Sequence, residues 1–535
     1  MLKSVRIRGL RSLADTGAIP LTNLNLLVGR NSSGKSTFAR VFALLRQSME
    51  ANTKGPILWY GPLVDFGSFD EAVTRDLPDR EIEFIFNISY PLTARRATNF
   101  GRRWISSFDD LGSESVGDTN AKLSILLGAT ANSKETYLKT FTLDIYDVKT
   151  TIELNPTGEV TSIKVGDYEV AADDSFRILS QSGTFLPRIR YYQRRVSKVE
   201  GKELTRWLET RNSYARRDLD RQISQHVHGN TTRNSRLRIA RNLPLTDIGT
   251  FTQRLVSVPA APQSWRSSLK NATPRSSRAI KLQHRVFATR IDGIINELDS
   301  FLSSYFKSVR YIEPLRAVAE RYYRKQELAV DEIDSKGSNV AMYLNSLTKG
   351  ETRSFISWMK SIFGGYVSAV SRSGHITLQY TDSQSEQSFN IADVGFGLSQ
   401  VLPLAVQIWS SAYRPNVTPG VRRLLRKNDT SVLVIEQPEL HLHPDFQARV
   451  ANMISSAIQV AKERDNPLSI VIETHSPWLI NRIGELISSQ KLNEKDVCLH
   501  LFEGNSQNSL SSVRKVMFDN NGILKDWPFG FFDPI

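Results

Sequence analysis

Through the first 180 positions, apolar residues recur mainly at every second place in short stretches: 4–8, 23–28, 81–88, 121–127, 140–147, 150–154 and 162–165. Such alternation bounded by turn residues predicts half-buried strands, and their close succession predicts antiparallel hairpins. One helix is expected among them, over 36–49. From Arg188 the spacing is read as helical, dense in arginine and interrupted at 229–235 and at Pro244, Pro259, Pro262 and Pro274. This region closes on a strongly amphipathic stretch in which Val286, Ile291, Ile294, Ile295, Leu298, Phe301, Leu302 and Tyr305 repeat at helical spacing. No heptad is sustained long enough for a coiled-coil arm. Beyond Tyr311 the pattern predicts a strand at 375–380, a helix from Leu398, and strands at Ser431–Glu436, Leu468–Glu473 and 496–502. Those last three are short continuous apolar runs separated by helices, as in a parallel sheet covered on both faces. The expected fold class is α/β, in three parts: an N-terminal lobe (1–180), a basic helical insertion (181–304) and a C-terminal lobe (305–535).

Composition changes this picture in two places. The 535 residues carry a net charge of +14, and its distribution is uneven. Between Arg188 and Arg290 there are 23 Lys and Arg against 6 Asp and Glu, a net +17, so the remainder totals −3. An arginine-rich segment on an otherwise balanced chain is the footprint expected for a nucleic-acid phosphate backbone or another polyanion. A lone cysteine, Cys498, excludes an internal disulfide and a cysteine zinc site. No apolar run approaches the ~18 residues that span a bilayer, and the start of the chain alternates with charge, so a cytoplasmic protein without membrane partners is expected.

Candidate chemistry begins at residues 29–37, Gly-Arg-Asn-Ser-Ser-Gly-Lys-Ser-Thr. A glycine loop between a buried strand and a helix turns successive N–H groups toward one anion, at the partly positive end of the helix. The residues Gly29, Arg30, Asn31, Ser32, Ser33, Gly34, Lys35, Ser36 and Thr37 are therefore expected to cradle a nucleoside triphosphate. Lys35 would bridge the terminal phosphates and Ser36 would hold Mg2+. Glu436 ends an apolar strand where it can approach the same ion. His475 ends another and can donate to a terminal phosphate or a water. Gly397 and Ser399, at a second helix start, form an additional anion site best explained as completing the pocket of another subunit, with Ser399 as the expected helix cap and Pro403 close enough to the first turn to be tolerated. His441 and His443 lack a third ligand and are read as loop residues.

In this order, the phosphate loop, glycine-serine helix, acidic strand with Pro-Glu-Leu-His-Leu-His-Pro, and strand-terminal histidine resemble the ATPase heads of the ABC superfamily. The closest branch is the SMC, RecF and OLD type. Glu-Pro-Leu-Arg at 313–316 and the tail at 526–533 also look typical of it. The resemblance covers roughly 1–180 and 305–535, leaving the basic insertion outside. It implies an ABC-type head, with ATP and Mg2+ as cofactors and a homodimer in which Lys35 and Ser36 face Ser399 of the other copy. Where such heads carry a second acid after Glu436, this chain has Gln437, which orients water but accepts its proton poorly. Either Glu439 supplies the base, or hydrolysis is slow and ATP mainly holds the dimer closed. The 60 residues after His475 hold too few clustered carboxylates for a nuclease site, so no cleavage chemistry is expected from them. Resemblance to ATPase subunits of Septu-type and retron-associated anti-phage systems implies a separate effector protein, a nuclease; a RecF-like repair ATPase and an ATP-stabilised scaffold are the alternatives. The insertion's partner is left open among DNA, RNA and an acidic protein.

Overall fold

The computed structural model describes residues 1–75, 77–90, 119–130, 135–171, 173, 175–181, 183–199, 202–210, 213–326, 330–413, 430–504 and 511–525. The tail motif at 526–533 lies outside them. The chain forms two compact units, one of Met1–Leu10, Ala51–Trp59 and Phe66–Ser303, the other of Arg11–Glu50, Tyr60–Asp65 and Ser304–Ile535.

In the first unit the expected hairpins form one antiparallel path, in the order Tyr168–Ala171, Val160–Val165, Val148–Leu154, Thr136–Ile145, Thr119–Ala129, Ile82–Tyr90, Leu2–Leu10. Alternation is why they pair this way: Ile82, Phe84, Phe86 and Ile88 are buried from one strand, and Leu123, Ile125 and Leu127 from the next.

Helical character from Arg188 is corrected. Ile189–Val199 and Lys202–Thr210 are antiparallel strands, with Phe176–Ser180 on the outer side of the first. Val196, Tyr191, Tyr192 and Trp207 favour extended backbone, and pairing across the ribbon satisfies it. Helices begin at Ser213: Ser213–Ser224, Arg233–Asn242, Ile248–Leu255 and Gln263–Leu269 gather Leu219, Ile223, Ile239, Phe251, Trp265 and Leu269 into a core of their own. The amphipathic helix is longer than its apolar stripe, Ser277–Lys307.

The second unit is built on a six-stranded sheet in the order Val309–Ile312, Ser431–Glu436, Leu468–Glu473, Leu24–Gly29, Val497–Gly504, Ser511–Val516. Its first five strands are mutually parallel and the last is antiparallel. Three of these strands are buried at every position, as continuous apolar runs require. Leu24, Leu26, Val28, Leu433, Ile435, Ile470 and Ile472 point into one core with the helices Phe396–Tyr413, Pro444–Glu463 and Pro477–Ser488. The intervening positions face the other way, toward the helix Lys35–Glu50. Among the described residues no helix is long and apolar enough to cross a membrane.

Candidate functional site

Strand Leu24–Gly29 ends at the glycine loop, and helix Lys35–Glu50 starts directly after it. Gly34 has φ of +91°, and a Cβ there would lie 2.4 Å from Leu13 Cδ2, so only glycine fits between loop and neighbour. Ser32 also takes positive φ, 62°. Ser33 Oγ donates to the Arg30 carbonyl at 2.8 Å, and Lys35 Nζ reaches the same oxygen at 2.6 Å. Arg30, Asn31 and Ser32 are exposed, whereas Gly34 and Lys35 are buried and Ser36 and Thr37 are half-buried. Burial holds the Lys35 ammonium below its ordinary pKa, opposed by the carboxylates of Glu473 and Glu439. This lysine is folded against its own loop.

Side-chain alternation brings the acids to the same place. Glu436 and Glu473 are register partners at the ends of adjacent parallel strands, both on the face that carries helix Lys35–Glu50. Ser36, expected to share a magnesium ion with Glu436, donates its Oγ to Glu473 Oε1 at 2.8 Å. Glu436, 2% exposed, is instead gripped by Arg40, whose Nε and Nη2 each donate at 2.8 Å, while Tyr311 OH donates at 2.7 Å. Those bonds raise the Arg40 pKa. Burial pushes the Glu473 carboxyl up to about 7, with Glu436 reinforcing the shift and Ser36 opposing it. Its second oxygen is buried without a hydrogen-bond partner.

A hydroxyl beside an orphaned carboxylate oxygen, with a further carboxylate on the next strand, is a hard-oxygen set that suits Mg2+. The described residues contain no group of three or more His, Cys, Asp or Glu placed to hold a metal by themselves. Magnesium here would be completed by phosphate oxygens and water, as is usual for that ion.

The loop after Glu436 supplies the third element. Gln437 adopts φ of 42° and donates its N–H to the Glu473 carbonyl at 2.8 Å, which turns the chain sharply out of the sheet. Glu439 then folds back: its carboxylate accepts from Thr474 Oγ1 at 2.9 Å and from the His475 N–H at 2.7 Å. Burial raises the Glu439 pKa, the opposite of what those hydrogen bonds do alone. Arg316, from the Glu-Pro-Leu-Arg motif, holds the loop through the carbonyls of Pro438 at 3.2 Å and Leu440 at 3.1 Å. His475 Nε2 is buried without a partner, and burial followed by the charge of Lys35 lowers the imidazole pKa, so the ring is neutral near pH 7. Lys35, Ser36, Glu439 and His475 are thereby brought together. His443 caps helix Pro444–Glu463 through Asp445 N at 3.3 Å, a structural role for the histidine loop.

Ser399 is placed differently from the cap expected of it. Helix Phe396–Tyr413 begins three residues earlier, so Ser399 lies inside the first turn, 6% exposed, on a cavity of about 30 Å³ shared with Gly337 and Pro403. Pro403 accordingly sits in the helix interior rather than close to its first turn. What this helix start presents to solvent is Asp393 and Gly395, with Gly397 half-buried. Glu473, Arg40 and Tyr311 were not singled out from the sequence, and Arg316 only as part of a motif without a role. The duplicated Val-Ile-Glu at 434–436 and 471–473 was the available signal for Glu473.

A phosphate loop opening a helix against two strand-terminal acids defines an ATPase domain. The family described as AAA ATPase domain matches residues 1–480, and the chain belongs to it. No curated protein matches. Among solved structures the chain is similar to the SMC head domain from Thermotoga maritima, at 10% identity over 96% of this chain and 98% of that one, with a TM-score of 0.30. It is also similar to the recombination mediator protein RecF of the RecFOR pathway, at 10% identity over 96% and 98%, with a TM-score of 0.27.

Proposed function

We propose that this chain binds Mg2+·ATP in the pocket of Lys35, Ser36, Glu473 and Glu436, and hydrolyses it slowly with Glu439 as base. In the same proposal it dimerises across the nucleotide and holds nucleic acid through its basic segment. It thereby controls a separate effector, a nuclease, in anti-phage defence. The observation that carries the hydrolytic part is the tie from Glu439 to Thr474 and the His475 N–H, which fixes a carboxylate of raised pKa beside Lys35.

Bound Mg2+·ATP supplies the phosphoanhydride and a cation that polarises it. Lys35 and the loop N–H groups bind the phosphate oxygens, and Ser36 with Glu473 holds the cation. Gln437 orients a water and Glu439 takes its proton; a carboxyl raised toward neutrality is a better base than an ordinary one. His475, neutral, donates a hydrogen bond to the terminal phosphate. Slow turnover follows from the amide at position 437 and from the hydrogen bonds already occupying Glu439. Asp393 and Gly395 are the exposed groups through which the second helix start meets a sister molecule.

Steady-state ATP hydrolysis by wild type, Glu439→Gln and Gln437→Glu tests the chemistry. Glu439→Gln is expected to lose at least ~100-fold in kcat with ATP affinity retained; an unchanged kcat overturns Glu439 as base. Asp393→Arg is expected to keep ATP binding while abolishing nucleotide-dependent dimers, and dimers that persist overturn the shared pocket. Purification from the native host tests the effector. A co-purifying nuclease supports the defence role; gapped DNA without any nuclease points to RecF-like repair.

A further inference from the structure

We propose that the ribbon of Ile189–Val199 and Lys202–Thr210 is a reader of single-stranded nucleic acid, with Trp207 as the platform on which an unpaired base stacks. This rests on the proposed nucleic-acid binding of the basic segment and names the place and the strand form.

Much of the arginine in that segment is committed internally. Arg188 pairs with Asp299, Arg236 grips Asp220 with two nitrogens, Arg285 joins Asp167 and Asp218, and the half-buried Arg290 donates to the carbonyls of Ala240 and Arg241. The ribbon is different. Phe176–Ser180 pairs with Ile189–Val199 as far as Gln193, and the Arg194 N–H still donates to the Ser175 carbonyl at 2.9 Å; from Arg195 onward, among the described residues, two strands run together without a third. Two strands alone bury too little to be stabilised by their own packing. Arg194, Arg195, Val196, Thr205, Arg206 and Leu208 are all exposed.

Cross-strand register makes the charge specific. Arg195 lies directly opposite Arg206, and like charges in that relation cost stability. Among the described residues no acidic side chain pairs with Arg194, Arg195 or Arg206. An anion between the two guanidinium groups removes the repulsion.

On the opposite face Arg194 is the register partner of Trp207, and the Arg177 guanidinium stands 4.5 Å from the centre of the Trp207 ring. These three, with Thr205, Glu159 and Asp173, line an open groove of about 620 Å³, within the size range of small-molecule sites. Glu159 lies 3.9 Å from Arg177, and Asp173 accepts from Ser175 Oγ at 2.7 Å. Carboxylates lining a groove repel a phosphate but accept hydrogen bonds from the exocyclic amine of a base. A ring, flanking guanidinium groups and acids lining the same groove fit a base turned into it with its phosphates along the ribbon. A paired base inside a duplex offers no such face.

The test uses the full chain and a short fluorescein-labelled mixed-sequence DNA strand, alone and annealed, followed by anisotropy across a salt series. Wild type is expected to prefer the single strand. Trp207→Ala should weaken it at least ~5-fold, the lower end for one lost stacking contact, while Trp207→Phe stays within about threefold of wild type. Arg195→Ala with Arg206→Ala should reduce the salt slope by about 1.4. Unchanged ATP turnover and circular dichroism in each variant control for folding. Tighter binding of the duplex, or equal loss in Trp207→Ala and Trp207→Phe, overturns the stacking platform. Salt-dependent wild-type binding that none of these variants alters overturns the ribbon alone and leaves the nucleic-acid reading standing. Absence of wild-type binding to either DNA at low salt overturns both.

Discussion

Glu473→Gln in the nucleotide-free protein isolates the most perturbed acid of the site. In the folded chain the carboxyl titrates at about 7 against an ordinary 4.5, because burial disfavours its charge. A raised folded pKa contributes stability that is fully present below the unfolded value and is lost as pH rises through the folded one. Integrating between those two pKa values, the unit containing the site should lose about 2.5 kcal/mol between pH 5 and pH 8 from this group alone. Glutamine keeps an oxygen for Ser36 and carries no charge, so the variant lacks that contribution while all other titrations remain and cancel in the comparison. Urea unfolding of both proteins at pH 5, 6, 7 and 8 gives the measurement. The stability difference should grow in favour of glutamine by about 2.5 kcal/mol across the series. Parallel pH profiles would refute the burial argument. Saturating Mg2+ with ATP should close the gap for wild type only, since a cation at the orphaned oxygen favours the ionised form.

Three further outcomes are expected. Lys35→Ala should reduce ATP affinity below detection in titration calorimetry, and retained affinity would remove the phosphate-loop assignment. Gly34→Ala should do nearly the same without touching charge, since its Cβ would fall 2.4 Å from Leu13 Cδ2; nucleotide-dependent thermal stabilisation reports it. Gln437→Glu should raise kcat if proton acceptance limits turnover, whereas an unchanged kcat means Glu439 already suffices.

Where structure follows from neighbours in the chain, the sequence was legible, in two strands to the residue. Ser431–Glu436 and Leu468–Glu473 were read with the boundaries they have, because an uninterrupted apolar run between turns specifies a buried strand locally. The phosphate loop was legible for a similar reason: its glycines and its helix start lie within one short segment. The arginine-rich ribbon was not, because local charge density resembles a solvated helix and only pairing of Arg194 with Trp207 and Val196 with Thr205 makes it a sheet.

Sequence by itself determined that a glycine loop between a buried strand and a helix, a strand-terminal acid and a strand-terminal histidine exist in this chain, and that one segment carries the excess positive charge. Tertiary structure decided which acid meets which hydroxyl. Parallel register sets Glu436 beside Glu473, and the pleat turns both toward helix Lys35–Glu50, where Ser36 reaches one and Arg40, a turn further on, takes the other. It also decided that Glu439 folds back onto His475 and that Ser399 is buried. Those outcomes depend on residues hundreds of positions apart, and spacing along one chain holds no record of the distance across a sheet.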